Sequence, residues 1–519
     1  MIEKIKIKNY KAFKEATIPF KPITIFLGAN NAGKSSIIRL ILLLQQTATA
    51  DAESYKSALK LHGRINMGSP ENLFYRKDTK KNIEMSFDMK DDNLHAFFSN
   101  ISKIQNVYNK LLNTKNNLNK TTKKNKDLYS SNFDFYFDVY NSGYSVFFDN
   151  NIAMPTDETE KIKKVISFVS NIDKCIKSKK SDSELQIAYT IGYNSRPQCL
   201  IIKKFFVKYN GNTLIKVTRL TNCNWAVESD FVELNKEEIS DISRFLSDKK
   251  SIFFFIGNPQ NEPSSLLTKV LLGLTLNCID NLHTEFDETH INYVQPLRAH
   301  PQRYYMLDNI NILNAINTLN GNELVEVLKD NQFIRKKVNC WLDHFELSKI
   351  DVKKDIEIIH HLILKQNGLD LDISDVGFGV SQLLPIITQS FLSRPHSATI
   401  VEQPEIHLHP RLQADLADLF IDVVKKDFKR NSIFFERTVI IESHSEYLLR
   451  RLRRRMSECD IITRDNVSIS LFHPYIEGKN DGASIENLSI EKKGAFEWPE
   501  EYYGAELQKD ITEFLENQK

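Results

Sequence analysis

Residues 23–44 read ITIFLGANNAGKSSIIRLILLL and place Gly28, Gly33, Lys34 and Ser35 at the spacing G-x-x-x-x-G-K-S. The chemistry of that spacing is phosphate binding. Glycines let the backbone curl so that its N–H groups face phosphate oxygens, a lysine adds charge at the β- and γ-phosphates, and a serine hydroxyl can ligate Mg²⁺. Asn30, Asn31 and Ser36 lie within or beside the same loop and belong to the expected nucleotide site. The elements that must position the loop are legible on both sides. Ile23 to Leu27 has the length of a buried strand, and Ser36 to Leu44 reads as an apolar helix whose N-terminal dipole favours an anion. A strand-to-helix turn that binds nothing is the weaker alternative, because it leaves the Lys34–Ser35 pair without a use. Binding of a nucleoside triphosphate with Mg²⁺ is expected.

A second cluster lies far downstream. In ATIVEQPEIHLHP (398–410) a β-branched run delivers acids to the C-terminal edge of a parallel sheet, where ligands of open α/β sheets lie. Glu402, the first acid after the run, is expected to hold Mg²⁺ together with Ser35. Gln403 stands where a catalytic carboxylate is normally found, and Glu405 follows two residues on. Glutamine can orient water but cannot take its proton, and loss of a general base costs ~10²–10⁴ in rate. Slow hydrolysis is therefore expected, unless Glu405 or Glu402 takes the role. RTVIIESHSEYLLRRLRRR (437–455) repeats the plan of strand, polar turn and helix, and His444 at the strand end can reach a γ-phosphate. Gly377 and Gly379 precede an apolar helix, with Ser381 about a turn later, so backbone N–H groups at a helix start are again available to an anion.

Two arginine groups stand out. Arg298 and Arg303, in PLRAHPQR, leave two readings open, a phosphate contact or a structural pairing with a carboxylate. Arg450, Arg451, Arg453, Arg454 and Arg455 give five arginines in six residues. They read either as a solvated face with salt bridges or as a DNA-phosphate footprint.

The 519 residues leave room for about two to four domains. Net charge is only +2, from 69 basic and 67 acidic residues, so the chain as a whole does not announce a polyanion partner. Cys175, Cys199, Cys223, Cys278, Cys340 and Cys459 are scattered without a C-x-x-C pair, which argues against a zinc site or a disulfide framework and fits a reducing cytoplasm. No run approaches the ~18 apolar residues of a membrane span, and lysines interrupt the start too often for a signal peptide. No membrane partner is expected.

Along the chain, Ile5 and Ile7 share one face of a first strand and Ile83 to Met89 forms another. A lysine- and asparagine-rich segment, 101–126, carries Ile104, Tyr108, Leu111 and Leu118 at near-heptad spacing. Hairpins are predicted at Asn141–Gly143 and at Asn210-Gly211, an apolar strand at SIFFFIG (251–257), and an amphipathic helix in the tail. The organisation predicted is an N-terminal lobe with the phosphate loop over 1–95 and an inserted segment over 96–290. A C-terminal lobe over 291–480 and a tail over 481–519 complete it. The fold class is α/β, a P-loop NTPase split by a long mixed α/β insertion.

Phosphate loop, long insertion, glycine-rich helix start, Walker B strand and strand-end histidine, in that order, resemble the ABC-type ATPases. More narrowly the chain resembles the RecF, SMC and OLD group. The opening IEKIKIKNYKAFKEATIPFKPITIFLGANNAGKSS is similar to the entry strand and loop of that group, and EQPEIHLHPRLQADLADLF, YVQPLRAHPQRYY and GAFEWPEEYY also look like theirs. The resemblance covers roughly 1–90 and 290–505. It implies an ATP-sandwich homodimer, within which each phosphate loop faces the glycine-rich signature of the other copy, with higher oligomers left open. It also implies kinship with ATPase subunits of two-gene anti-phage systems such as Septu and PARIS. These act with a separate nuclease or toxin, and DNA binding is left open. No acidic cluster of the TOPRIM kind follows the ATPase segments, in keeping with a separate effector. Two further readings stay open: an ATP-bound scaffold or sensor that holds an effector inactive, and a RecF-like DNA-repair ATPase.

Overall fold

The computed structural model describes residues 2–51, 56–90, 135–138, 145–148, 163–165, 167–172, 174–175, 184–220, 224–257, 263, 265–307, 312, 314–356, 358–425, 437–458, 462–476, 478, 480–497 and 504–518. The near-heptad segment 101–126, the turn Asn141–Gly143, and Cys223 and Cys459 lie outside them.

The chain opens with β1 (Ile2–Tyr10), β2 (Phe13–Pro19), β3 (Ile23–Gly28) and α1 (Lys34–Ala48). There follow β4 (Ile83–Lys90), the pair β5 (Phe135–Asp138) and β6 (Ser145–Phe148), then β7 (Glu184–Ser195), β8 (Gln198–Tyr209), β9 (Asn212–Arg219), β10 (Trp225–Glu228), α2 (Lys236–Ser243) and α3 (Leu266–Glu285). The second half runs β11 (Ile291–Val294), β12 (Tyr305–Met306), α4 (Gly321–Asp330), α5 (Gln332–His344), β13 (Lys349–Lys354), β14 (Ile359–Gln366), β15 (Leu369–Asp372), α6 (Phe378–Leu392), β16 (Ala398–Glu402) and α7 (Pro410–Val424). It ends with β17 (Thr438–Glu442), α8 (Glu446–Glu458), β18 (Val467–His473), β19 (Ser484–Asn487) and α9 (Gly504–Asn517). Among the described residues no helix is long and apolar enough to cross a membrane.

Two compact units result, one of residues 1–10 and 46–284, the other of residues 11–45 and 285–519. In the first, antiparallel neighbours run β10-β9-β8-β7-β4-β1. Alternation sets the faces: Ile5 and Ile7 are buried together and pair with Phe87 and Met85. The β8–β9 hairpin turns at Asn210-Gly211, both with positive φ (48° and 86°), as a tight hairpin between right-twisted strands requires. The predicted strand 251–257 does not form. It is a turned segment with a single bridge, Leu246 to Ile256. Its phenylalanines point apart instead of alternating in a ladder: Phe255 packs on Phe205 (4.9 Å between ring centres), whereas Phe253 and Phe254 pack on His283 of α3.

The second unit is built on a parallel sheet ordered β11-β16-β17-β3-β18, with β19 antiparallel at the edge. Its strands are mostly apolar because both faces are covered, as parallel sheets require; Ile25, Leu27, Val401, Ile441 and Leu471 lie in one core with Leu383, Ile387 and Leu416 of the helices. The register is the decisive feature. Glu402 pairs with Glu442 and Glu442 with Phe26, so the ends of β16, β17 and β3 lie side by side.

The arginine-rich helix α8 is explained by its neighbours. Arg451 reaches Asp415 and Asp418 of α7 (2.9 and 2.6 Å), and Arg455 reaches Asp418 and Glu458 (2.6 and 3.0 Å). Arg450 bonds Glu446, Arg454 bonds Glu458, and Arg453 lies over the Phe496 ring. All five therefore have partners within the chain, four of them carboxylates, as the salt-bridge reading expects. Burial raises the Asp418 carboxyl, but the hydrogen bonds from Arg455 and Arg451 outweigh it and hold the group below its ordinary range. Asp418→Ala is expected to destabilise the protein by about 2 kcal/mol, because two guanidinium groups lose their shared partner while Arg451 keeps Asp415 and Arg455 keeps Glu458. Arg454→Ala, at an exposed pair, is expected to cost less than about 1 kcal/mol. Denaturant unfolding of both variants checks the difference, and equal losses would contradict this account.

Candidate functional site

The loop from β3 to α1 needs its two terminal glycines for reasons of space. Gly28 has φ +139°, and a Cβ there would stand 2.3 Å from the carbonyl oxygen of Phe472 on β18. Gly33 has φ +100°, and a Cβ would stand 2.5 Å from the Phe13 ring. Asn31 also has positive φ (63°), and both Asn30 and Asn31 are exposed. Helix α1 starts at Lys34, so its first N–H groups open onto the loop. Lys34 is buried, and its Nζ donates to the carbonyl oxygens of Gly28 and Ala29 (2.8 and 2.9 Å). Burial lowers its pKa, against the pull of Glu442. Ser35 is exposed, and Ser36 closes the first turn by donating its N–H to Gly33.

An acid absent from the sequence-based site completes this group. Glu442, at the end of β17, lies 3.7 Å from Lys34 Nζ and accepts from Ser35 Oγ at 3.4 Å. Glu402 instead accepts from the Tyr293 hydroxyl of β11 at 2.6 Å. Burial, followed by the neighbouring Glu402, pushes Glu442 up to about 7. Burial also raises Glu402, partly offset by its bond from Tyr293 and the charge of Arg39, and the Tyr293 hydroxyl is in turn raised by burial and by Glu402. The signal for Glu442 was present: ATIVE and TVIIE are two strands of one spelling, each ending on an acid, and parallel pairing in register brings the two acids together. Tyr293 carried no such signal.

The pair of raised carboxylates beside a hydroxyl is a hard-oxygen set that a divalent cation would relieve. Ser35 and Glu402 therefore fit Mg²⁺, with Glu442 beside them. The loop N–H groups, Lys34 and the α1 terminus fit a polyphosphate.

Gln403 sits in a left-handed conformation (φ 44°), its N–H donating to the Glu442 carbonyl at 2.7 Å. Arg298 is 5% exposed, and its Nη2 donates to the main-chain oxygens of Glu402 and Gln403 (3.0 and 3.4 Å), a main-chain pairing that neither expected reading named. Burial lowers this guanidinium to about 10, with the Glu405 charge opposing. Arg303 pairs with Asp375 in solvent at 2.8 Å. Glu405 accepts from Ser443 Oγ and from the His444 N–H (3.0 and 2.6 Å), so both carboxylate oxygens are engaged. Burial raises its pKa. Burial, followed by the Lys34 charge, lowers the pKa of His444, and its Nε2 is enclosed without a hydrogen-bond partner among the described residues.

At the glycine-rich segment, Gly377 is the exposed N-cap of α6 and Gly379 lies inside the helix rather than before it. A Cβ on Gly379 would stand 3.6 Å from the His407 carbonyl oxygen, so this helix start packs on the turn after β16. Ser381 lies about one turn into this helix. It is buried and lines a cavity of about 20 Å³ with Tyr305 and Leu384. The apolar face of α6 carries it inward, whereas Gly377 at the helix start is exposed.

Residues 1–449 match the AAA ATPase domain family. Among solved structures, the SMC head domain from Thermotoga maritima is similar at 9% identity, with 94% of this chain and 99% of that chain covered and a TM-score of 0.35. The SmcHead bound to the C-winged helix domain of ScpA is similar at 11% identity, with 94% and 98% covered and a TM-score of 0.37. No curated protein matches.

Proposed function

Given that the chain belongs to the AAA ATPase domain family, we propose that it is a slowly hydrolysing, ATP-driven switch that pairs two copies around bound nucleotide. The observation that supports this best is the convergence of Lys34, Ser35 and Glu442 beside a Walker B strand that continues into Gln403. Loop N–H groups and Lys34 bind the phosphates; Ser35 and Glu402 would hold Mg²⁺, which would supply neutralising charge at the phosphate oxygens. Gln403 orients the attacking water, and Glu442 is the carboxylate placed to accept its proton. The exposed start of α6 at Gly377 presents N–H groups to the phosphates of a second copy. The resemblance to two-gene anti-phage ATPases extends the reading to a DNA-linked complex, with a nuclease or toxin supplied by another chain.

Gln403 also favours a second reading, an ATP-bound scaffold or sensor that holds an effector inactive and hardly turns over. Turnover by the purified protein, with and without duplex DNA, separates the two, with mass by light scattering before and after Mg·ATP. The switch predicts slow turnover, an ATP-dependent doubling of mass and faster turnover in Gln403→Glu. ATP retained without turnover in either protein would favour the scaffold, and absence of ATP binding would remove both.

A further inference from the structure

We propose that Glu405 is a positioning residue that ties the histidine turn to the Walker B turn and so sets the preference of the site for ATP over ADP. The proposal rests on the ATP-binding reading above. Glu405 lies in the tight segment after β16, where the N–H of Ile406 bonds Gln403 and that of Leu408 bonds Glu405. Two other side chains anchor that segment: Arg298, through the carbonyl oxygens of Glu402 and Gln403, and Gln413, whose Nε2 donates to the Leu408 carbonyl at 2.9 Å. From this fixed platform three bonds reach the turn after β17. Glu405 takes the Ser443 hydroxyl and the His444 N–H, and Gln413 Oε1 accepts from Ser445 Oγ at 2.7 Å.

Residues 443, 444 and 445 are thus each held by the neighbouring turn, and the tip of the His444 ring is what remains uncommitted. An enclosed ring nitrogen without a partner calls for one. Next to Lys34, the group that can supply it is the terminal phosphate that ATP has and ADP lacks. A carboxylate with each oxygen accepting a donor is badly placed to take a proton from water, so Glu405 acts through the position of His444 and not as a base. Glutamine can replace it, since its amide oxygen can accept the His444 N–H while its NH₂ donates to Ser443 Oγ.

Calorimetric titration of the full chain with ATP and with ADP, both with Mg²⁺, tests this. Wild type should prefer ATP. Glu405→Ala should lose about tenfold in ATP affinity, the worth of one charge-assisted hydrogen bond, with ADP affinity unchanged as the control for folding. Glu405→Gln should keep the preference, and Glu405→Ala combined with His444→Ala should be no worse than His444→Ala alone. Equal losses for ATP and ADP, additive losses in the double variant, or a glutamine variant that behaves like alanine would each overturn the proposal. A wild-type protein that binds neither nucleotide would overturn the ATP-binding reading itself.

Discussion

Lys34→Ala is expected to lose ATP turnover and about two orders of magnitude in ATP affinity. The ammonium group is held at the mouth of the loop by two carbonyl oxygens, those of Gly28 and Ala29. It is also buried, so its field acts on the phosphates through little solvent. Hydrogen bonds to charged groups contribute about 1.5–3 kcal/mol each, and one or two at the β- and γ-phosphates account for a hundredfold. The fold should survive, because the conformation of the loop is set by Gly28 and Gly33 and not by the lysine. Equilibrium binding of ATP to wild type and variant, with circular dichroism to check folding, measures the effect. A folded variant that binds ATP within threefold of wild type would sink the assignment of this loop.

Glu442→Gln should carry the second large effect, a fall in turnover of ~10²–10³ with ATP binding largely retained. The argument is positional. Glu442 is the carboxylate in contact with both Ser35 and Lys34, whereas Glu402 is engaged by Tyr293 and Glu405 by the histidine turn. The same substitution has a consequence for the nucleotide-free protein. Glu442 is raised to about 7 in the folded state from an ordinary 4.5. A raised carboxyl binds its proton more tightly when folded, so its stabilising contribution is complete below about pH 4.5 and is lost as pH rises through about 7. His444, lowered by burial, contributes with the opposite sign near its ordinary value, so wild type alone would mix the two. The melting temperature of Glu442→Gln relative to wild type should therefore rise between pH 5 and pH 8. A difference that does not change with pH would contradict the placement of this acid, and unchanged turnover would contradict its role.

Much of this site is legible in the order of the residues. The loop at Gly28 to Ser35 is contiguous, so local sequence specifies its glycines, its lysine and the strand and helix on either side. The strand ends at Glu402 and His444 are also local features, and the hairpin at Asn210-Gly211 follows from turn chemistry alone. Composition misleads where burial depends on distant neighbours. The run 251–257 has the apolar content of a strand, yet Phe255 packs on Phe205 while Phe253 and Phe254 pack on a helix, and no ladder forms. The arginines of α8 look like a polyanion footprint until α7 supplies Asp415 and Asp418.

What the sequence determined by itself is that a phosphate loop, a Walker B strand and a strand-end histidine exist, because each is encoded within a few consecutive residues whose backbone preferences and side chains act together. What only the tertiary structure decided is which groups meet. Parallel pairing sets β17 beside both β3 and β16, which lie hundreds of residues apart, and so brings Glu442 to Lys34 and Ser35. The same packing turns Ser381 into the interior and gives both oxygens of Glu405 to the histidine turn. The physical reason is range: propensity and turn chemistry act over a few residues, whereas the partner of a buried charge is set by sheet register and helix packing.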